Sequence, residues 1–214
     1  MKLQSMSAIL LCVFASACSA EGADGLEPQD DATLRSRLEK PTTLVIDSAA
    51  SLVAATAHTD QDGDAMPIEF SIVDGRVDLI AQPSGEIVVH EFELDLGDVT
   101  VSADFLPPNG LELRELKVRM DYPVVAEPEW SEDGTAASGD VMMSITADWS
   151  AVFNDNVYSL RSIVLPELLV HAHLALSGNT VLAQVSAVKS GTFWNWAGKF
   201  QMSDLVVEVD TLSD

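Results

Sequence analysis

Three groups of residues have the types and spacing that site chemistry needs. Asp60, Asp62 and Asp64 alternate within Asp60-Gln61-Asp62-Gly63-Asp64. Carboxylates so spaced can converge on a hard cation such as calcium from one tight turn. The match to a helix-loop-helix calcium site then stops. That loop needs glycine sixth and glutamate twelfth, and Ala65 and Ser71 stand there instead. A polar turn between strands accounts for the same residues. His171 and His173 would project from one face of a strand, as paired zinc ligands do. They alternate with Val170, Ala172 and Leu174, which puts them on the solvent face. His58 and His90 are too distant in sequence to argue as a third ligand. The third group is apolar. Trp194, Trp196, Phe200 and Met202 share a face of one arm, and Trp149 and Phe153 share a face of another. Such faces either pack a core or line a pocket for an apolar small molecule or lipid.

Other chemistry finds no foothold. No G-x-S-x-G elbow, phosphate-binding glycine loop or H-E-x-x-H occurs. With Asp+Glu 34 in 214 residues, close carboxylate pairs arise by chance and do not argue for glycoside hydrolysis. The chain reads as a non-enzyme without a cofactor. A formal charge of -23 repels nucleic acid and keeps outward faces solvated.

The leader carries a clearer signal. Lys2 precedes an apolar run from Met6 to Ala17. That run is too short for a membrane-spanning helix and suits a signal-peptide core. It ends Ala15-Ser16-Ala17-Cys18, which resembles the lipobox of bacterial lipoproteins. The resemblance covers the leader alone, and Ala15 stands where leucine is usual. It implies cleavage before Cys18 and a diacylglycerol anchor on its thiol. Cys12 would leave with the leader, so no pair would remain for a disulfide. The alternative is an ordinary secretory signal cut near Ala20. Ser19 after the cysteine points to the outer membrane, because aspartate there is the familiar inner-membrane retention signal. Residues 1–17 are then signal peptide, and 18–40 an acidic tether with one helical turn near Leu34 and Leu38. Residues 41–214 form a single β domain. Its partners are the membrane, through the anchor, and either an apolar ligand or another envelope protein.

The elements that position these groups are strands. From Glu86 to Asp121 apolar residues alternate along two arms joined at Asn109-Gly110, the period and turn of a hairpin. Met66 to Ile72 alternates likewise, and Asp74-Gly75 suggests a second hairpin. Ser48 to His58 permits a helix, but its neighbours and Thr56 favour a strand. Tyr122 to Gly139 is the longest irregular stretch, a surface loop available for function. Val141 to Phe153 alternates without a break, and Pro166 marks an edge or a bulge in the arm that follows.

In four places the alternation slips by one residue: at Gly97-Asp98, Arg114-Glu115, Arg161-Ser162 and Ser203-Asp204. A straight strand would then turn half its apolar residues to water, whereas a β-bulge restores their facing and bends the chain. Bends are needed anyway, since twenty residues at ~3.3 Å reach roughly 65 Å. The slips follow no fixed period, which argues against a stacked solenoid. We therefore expect an all-β fold: an antiparallel meander of about eight bent strands forming a barrel, half-barrel or sandwich.

Overall fold

Buried residues alternate with more accessible ones along the strands of the computed structural model, as in Leu52–His58, where Val53, Ala55 and Ala57 are buried and the residues between them half-buried. The structure describes residues 33–58, 65–101, 110–196 and 200–213; side chains are described for all of these except 159–161, 194–196, 200 and 213. Cys18, Asp60, Asp62, Asp64 and the Asn109 turn residue lie outside the described residues.

One short helix, α1 (Leu34–Leu38), precedes β1 (Thr42–Ile46), β2 (Leu52–His58), β3 (Met66–Phe70), β4 (Asp74–Ala81), β5 (Ile87–Val101) and β6 (Leu111–Met120). Two short strands, β7 (Val124–Ala126) and β8 (Glu129–Trp130), lead to β9 (Ala136–Phe153), β10 (Asn156–Ser177), β11 (Thr180–Trp196) and β12 (Phe200–Ser213). Around the ring β1, β4, β5, β6, β9, β10, β11 and β12 each pair antiparallel with the next, and β12 pairs back with β1. The fold is therefore a closed eight-stranded up-and-down barrel, which resolves the barrel, half-barrel and sandwich alternatives.

Two ring positions are each built from two collinear pieces. β12 pairs β1 through Thr211–Ser213 and β2 through Gln201–Glu208. The short excursion between β1 and β2 is tied down at Asp47, whose N–H reaches the Asp210 carbonyl at 2.8 Å. The Asp47 carboxylate accepts the Ala49 N–H at 2.9 Å, so Ser48 to Ala50 form a turn and the strand begins only at Leu52. β3 and β4 are likewise collinear. β3 pairs β2, and β4 pairs β1 and β5. The hairpin expected at Asp74-Gly75 is thus corrected: both residues lie in β4, paired with Asp95 and Leu94. Gly75 is there for space. A Cβ on it would come within 2.7 Å of Ile46 Cδ1 and 2.8 Å of Leu94 Cδ2.

The bulges account for the bent strands. Pairing between β5 and β6 shifts on both sides of Gly97, which has φ +60. Pairing of β6 with β9 shifts between Arg114 and Lys117, where Glu115 has φ 53. β12 shifts against β2 after Ser203, at Asp204 with φ 52. These match three of the slips read from sequence. The fourth falls earlier, between Tyr158 and Arg161. Ser162 keeps its rung opposite Asp148 because its hydroxyl donates to that carboxylate. Pro166 does sit in a bulge, with Glu167 at φ 54.

The stretch from Tyr122 to Gly139 is not an unpaired loop. β7 continues the line of β6 against β5, and β8 pairs β9. Together with α1 they cover the lower end of the barrel, the end of the Pro83-Ser84-Gly85 and Ser177–Thr180 turns. Thr33 caps α1 by accepting the Ser36 N–H at 3.2 Å. Leu34 and Leu38 are fully buried, and the Leu34 N–H reaches the Gly134 carbonyl at 2.9 Å. Trp130 donates its indole N–H to the Gly85 carbonyl at 2.8 Å, and Arg35 lies over its ring. α1 thus packs on the barrel, and it falls within residues 18–40, the stretch expected to be tether.

Candidate functional site

The inner wall of the barrel comes from the buried half of every long strand. Leu94, Leu96, Leu113, Ile145, Trp149, Leu165, Val170 and Val207 all face inward and are buried. Burying each such side chain is worth about 1.5–3 kcal/mol, so the wall both holds the fold and shapes its interior. The interior is not solid. A cavity of 170 Å³ runs within it, with Phe70, Phe92, Met143, Trp149, Phe193 and Met202 among its walls. Among the described residues no charged side chain lines it, and Ser138, which borders it, turns its hydroxyl outward to His173. Val118, Ala147 and Ile163 form a cross-strand row over β6, β9 and β10. They face the cavity and are only half-buried, because the space beside them is unfilled.

The outer wall is the opposite. Arg76 bridges Glu91 at 3.0 Å and Glu93 at 3.5 Å, Lys117 meets Asp95 at 3.4 Å, and Arg119 meets Asp148 at 3.3 Å. Exposed pairs of this kind add little stability. Their importance is polarity: a membrane-spanning barrel carries an outward apolar band with aromatic girdles, whereas these strands carry ion pairs outward, interspersed with exposed apolar residues such as Val164, Leu169 and Val188. No helix among the described residues is long and apolar enough to cross a membrane.

The aromatic and methionine candidates separate. Trp149 on β9 and Met202 on β12 are 4% and 6% exposed and both line the cavity. Phe153 packs half-buried against the core at the upper end of β9, where its strand neighbour is Leu111. Trp194 and Trp196 lie on β11 opposite Met202 and Phe200; their side chains, and that of Phe200, are not among those described. Phe70, Phe92, Met143 and Phe193 join the lining without having been singled out. The first three follow the same alternation rule and were legible. Phe193 was not, because it is the extra residue in a register shift between Thr192 and Trp194. His171 and His173 are exposed, with Nδ1 atoms at 2.5 Å from Asp140 and 2.7 Å from Ser138. Among the described residues no three His, Cys, Asp or Glu come together as a metal site.

The class defined by this geometry is a closed eight-stranded meander barrel with an apolar, partly empty interior and a charged exterior. The chain matches no family model and no curated protein. Among solved structures it is similar to the crystal structure of Ail, the attachment invasion locus protein of Yersinia pestis, in complex with the heparin analogue sucrose octasulfate. The two are 8% identical with a TM-score of 0.40, over 81% of this chain and 99% of that one.

Proposed function

We propose that this chain is a lipid-anchored, non-enzymatic protein of the cell envelope whose barrel carries or senses a slim apolar molecule. The cavity is the observation that supports the carrier role. Its 170 Å³ are walled by apolar and aromatic side chains, and apolar cavities of ~150 Å³ in other proteins stay dry and take up a benzene-sized group. Trp149 and Met202 provide adaptable apolar contact. The anchor is supported by Ala15-Ser16-Ala17-Cys18, and the outer membrane by Ser19. A charged outer wall suits a barrel held beside a membrane rather than within it.

A titration tests the carrier role. Neutral apolar ligands should shift tryptophan emission and raise Tm with concentration, because only the folded state binds them. Met202→Ala together with Trp149→Phe should weaken that response. A panel of apolar ligands that leaves both emission and Tm unchanged contradicts the reading. Cys18→Ser should release the protein from membranes; wild-type protein without acyl mass contradicts the anchor.

A second reading has its own observation. Met142 and Leu169 are cross-strand neighbours on the outer wall, 52% and 40% exposed, and Val188 on the adjoining strand is 64% exposed. Such a patch on a filled barrel would present a surface to another envelope protein. Loss of a co-purifying partner on Leu169→Asp, with the interior still empty of ligand, would favour it.

A further inference from the structure

The cavity meets the barrel wall where the wall is not a continuous sheet. β3 pairs β2 through Val53–Ala57. β5 pairs β6 through Val101 opposite Leu111. Among the described residues, no ladder joins β3 to the Leu96–Val101 part of β5. The bond from Val73 N–H to the Asp95 carbonyl, 2.8 Å, closes the foot of this seam. Above it, among the described residues, no ladder joins the two strand edges. Phe70 on one side and Leu96 on the other both line the cavity. Val73, 66% exposed, stands at the foot beside Gly97, where an added Cβ would lie 2.9 Å from its Cγ2.

We infer that this seam is the entrance to the cavity, and that it admits a single-chain amphiphile with its hydrocarbon tail inside and an uncharged or cationic head at the seam. The inference rests on the carrier reading. Among the described residues the cavity wall offers no charged partner, so a charged head drawn inside would lose its hydration uncompensated. The tail enters and the head stays out. A cavity of 170 Å³ takes up about a benzene-sized volume, so it holds a segment of one tail, with the rest of the chain in the seam, and not a two-chain lipid. At the seam, edge N–H and C=O groups outside any ladder are ready partners for a hydroxyl, amide or amine. Glu69, Asp74, Asp95 and Asp98 belong to the strands flanking the seam, and the cation beside Asp95, Lys117, is already paired with it at 3.4 Å. An anionic head would meet like charge there. At the lower end β7 and β9 also share no ladder among the described residues, and Ala126, Pro128 and Gly139 line the cavity there, but α1, Trp130 and the short strands cover that end and make it the poorer route.

Rates separate entrance from binding site. The full chain is placed in phosphatidylcholine vesicles, with protein-free vesicles as baseline, and quenching of tryptophan by brominated dodecanol is followed by stopped flow. Trp149→Phe identifies the share of the signal from the cavity. Val73→Phe should slow association and dissociation together, by about tenfold, at unchanged affinity, because access and not contact is altered. Val73→Ala should speed both. Arg35→Ala at the lower end should leave rates as they are. Rates indifferent to both Val73 variants, or altered by Arg35→Ala instead, overturn the entrance. Absence of any quenching in the wild type overturns the carrier reading and the entrance with it. For the head group, dodecanol and dodecylamine should bind about tenfold tighter than dodecanoate at low salt, with the gap narrowing as salt rises. Dodecanoate binding equally or more tightly overturns that assignment.

Discussion

The lower and upper halves of the barrel use the same strands and are secured by different means. Below, the short strands β7 and β8 each pair one long neighbour, and a helix with two fully buried leucines covers the end. Above, the strands bend at Gly97, Glu115 and Asp204, and among the described residues no ladder joins β3 to the upper part of β5. The bulges there free backbone N–H groups, and carboxylates take them up. Asp95 accepts from the Gly97 N–H at 2.9 Å, Asp98 from Glu115 at 2.9 Å, and Asp204 from Gly191 at 3.3 Å. Part of the chain's acidity is thus structural: short acidic side chains complete backbone hydrogen bonding where the ladder is broken. The contrast teaches that closure and access have been placed at different levels of one barrel.

The severest way to break the upper half is to delete Asp98. Removing a residue at the bulge turns Val99 and Val101 from the core to solvent, and cooperative unfolding should be lost in thermal and chemical melts. Persistence of a sharp wild-type transition would mean that the bulge does not set the register. In the lower half, Leu38→Ala should cost about 2–5 kcal/mol through the lost contacts and the space left behind. Leu169→Ala on the outer wall should stay within about 0.5 kcal/mol. Chemical denaturation of the pair checks whether α1 is an integral part of the fold.

Glycines sharpen the comparison at smaller magnitude. Gly97 and Gly178 have nearly the same φ, +60 and +63, but only Gly97 has a neighbour that an added Cβ would strike. Alanine at either should cost about 1–2 kcal/mol for the left-handed backbone. Gly97→Ala should lose more than Gly178→Ala, by an amount that Val73→Ala reduces. Equal losses would show that Val73 yields freely.

The smallest effect is acid-dependent. Hydrogen bonds from Ser131 and Thr135 lower the Asp133 carboxyl from its usual 3.8 to about 2. A carboxyl depressed on folding stabilises above its unfolded value and loses that contribution as pH falls through the folded one. The Tm difference between wild type and Asp133→Asn should therefore be constant above about pH 5 and shrink between about pH 4 and pH 2. A difference independent of pH would mean that the turn does not depend on the ionised carboxylate.

How much of this was legible in the sequence depends on the distance each rule spans. The long arms were readable because one buried face leaves period-two alternation, and three bulges because the phase change falls on Gly97, Glu115 and Asp204. The Asp74-Gly75 hairpin was misread for a physical reason. Glycine serves both turns and close approaches, and only the packing of Ile46 and Leu94 against Gly75 tells them apart. The docking of α1 was hidden because five residues hold too little periodicity to announce a partner. Trp149 and Met202 were found by alternation, whereas Phe193 lay in a register shift that no local pattern reveals. The seam was invisible to sequence altogether, since it reflects which strand edges fail to meet.

The central claim is that the barrel's interior holds one apolar molecule. Native mass spectrometry of protein purified without added ligand or detergent tests it most directly. The account predicts one non-covalent apolar adduct per chain, distinct from any acyl mass on Cys18, lost on unfolding and diminished in Trp149→Ala. Protein that flies empty, and remains empty after incubation with dodecanol, would contradict it.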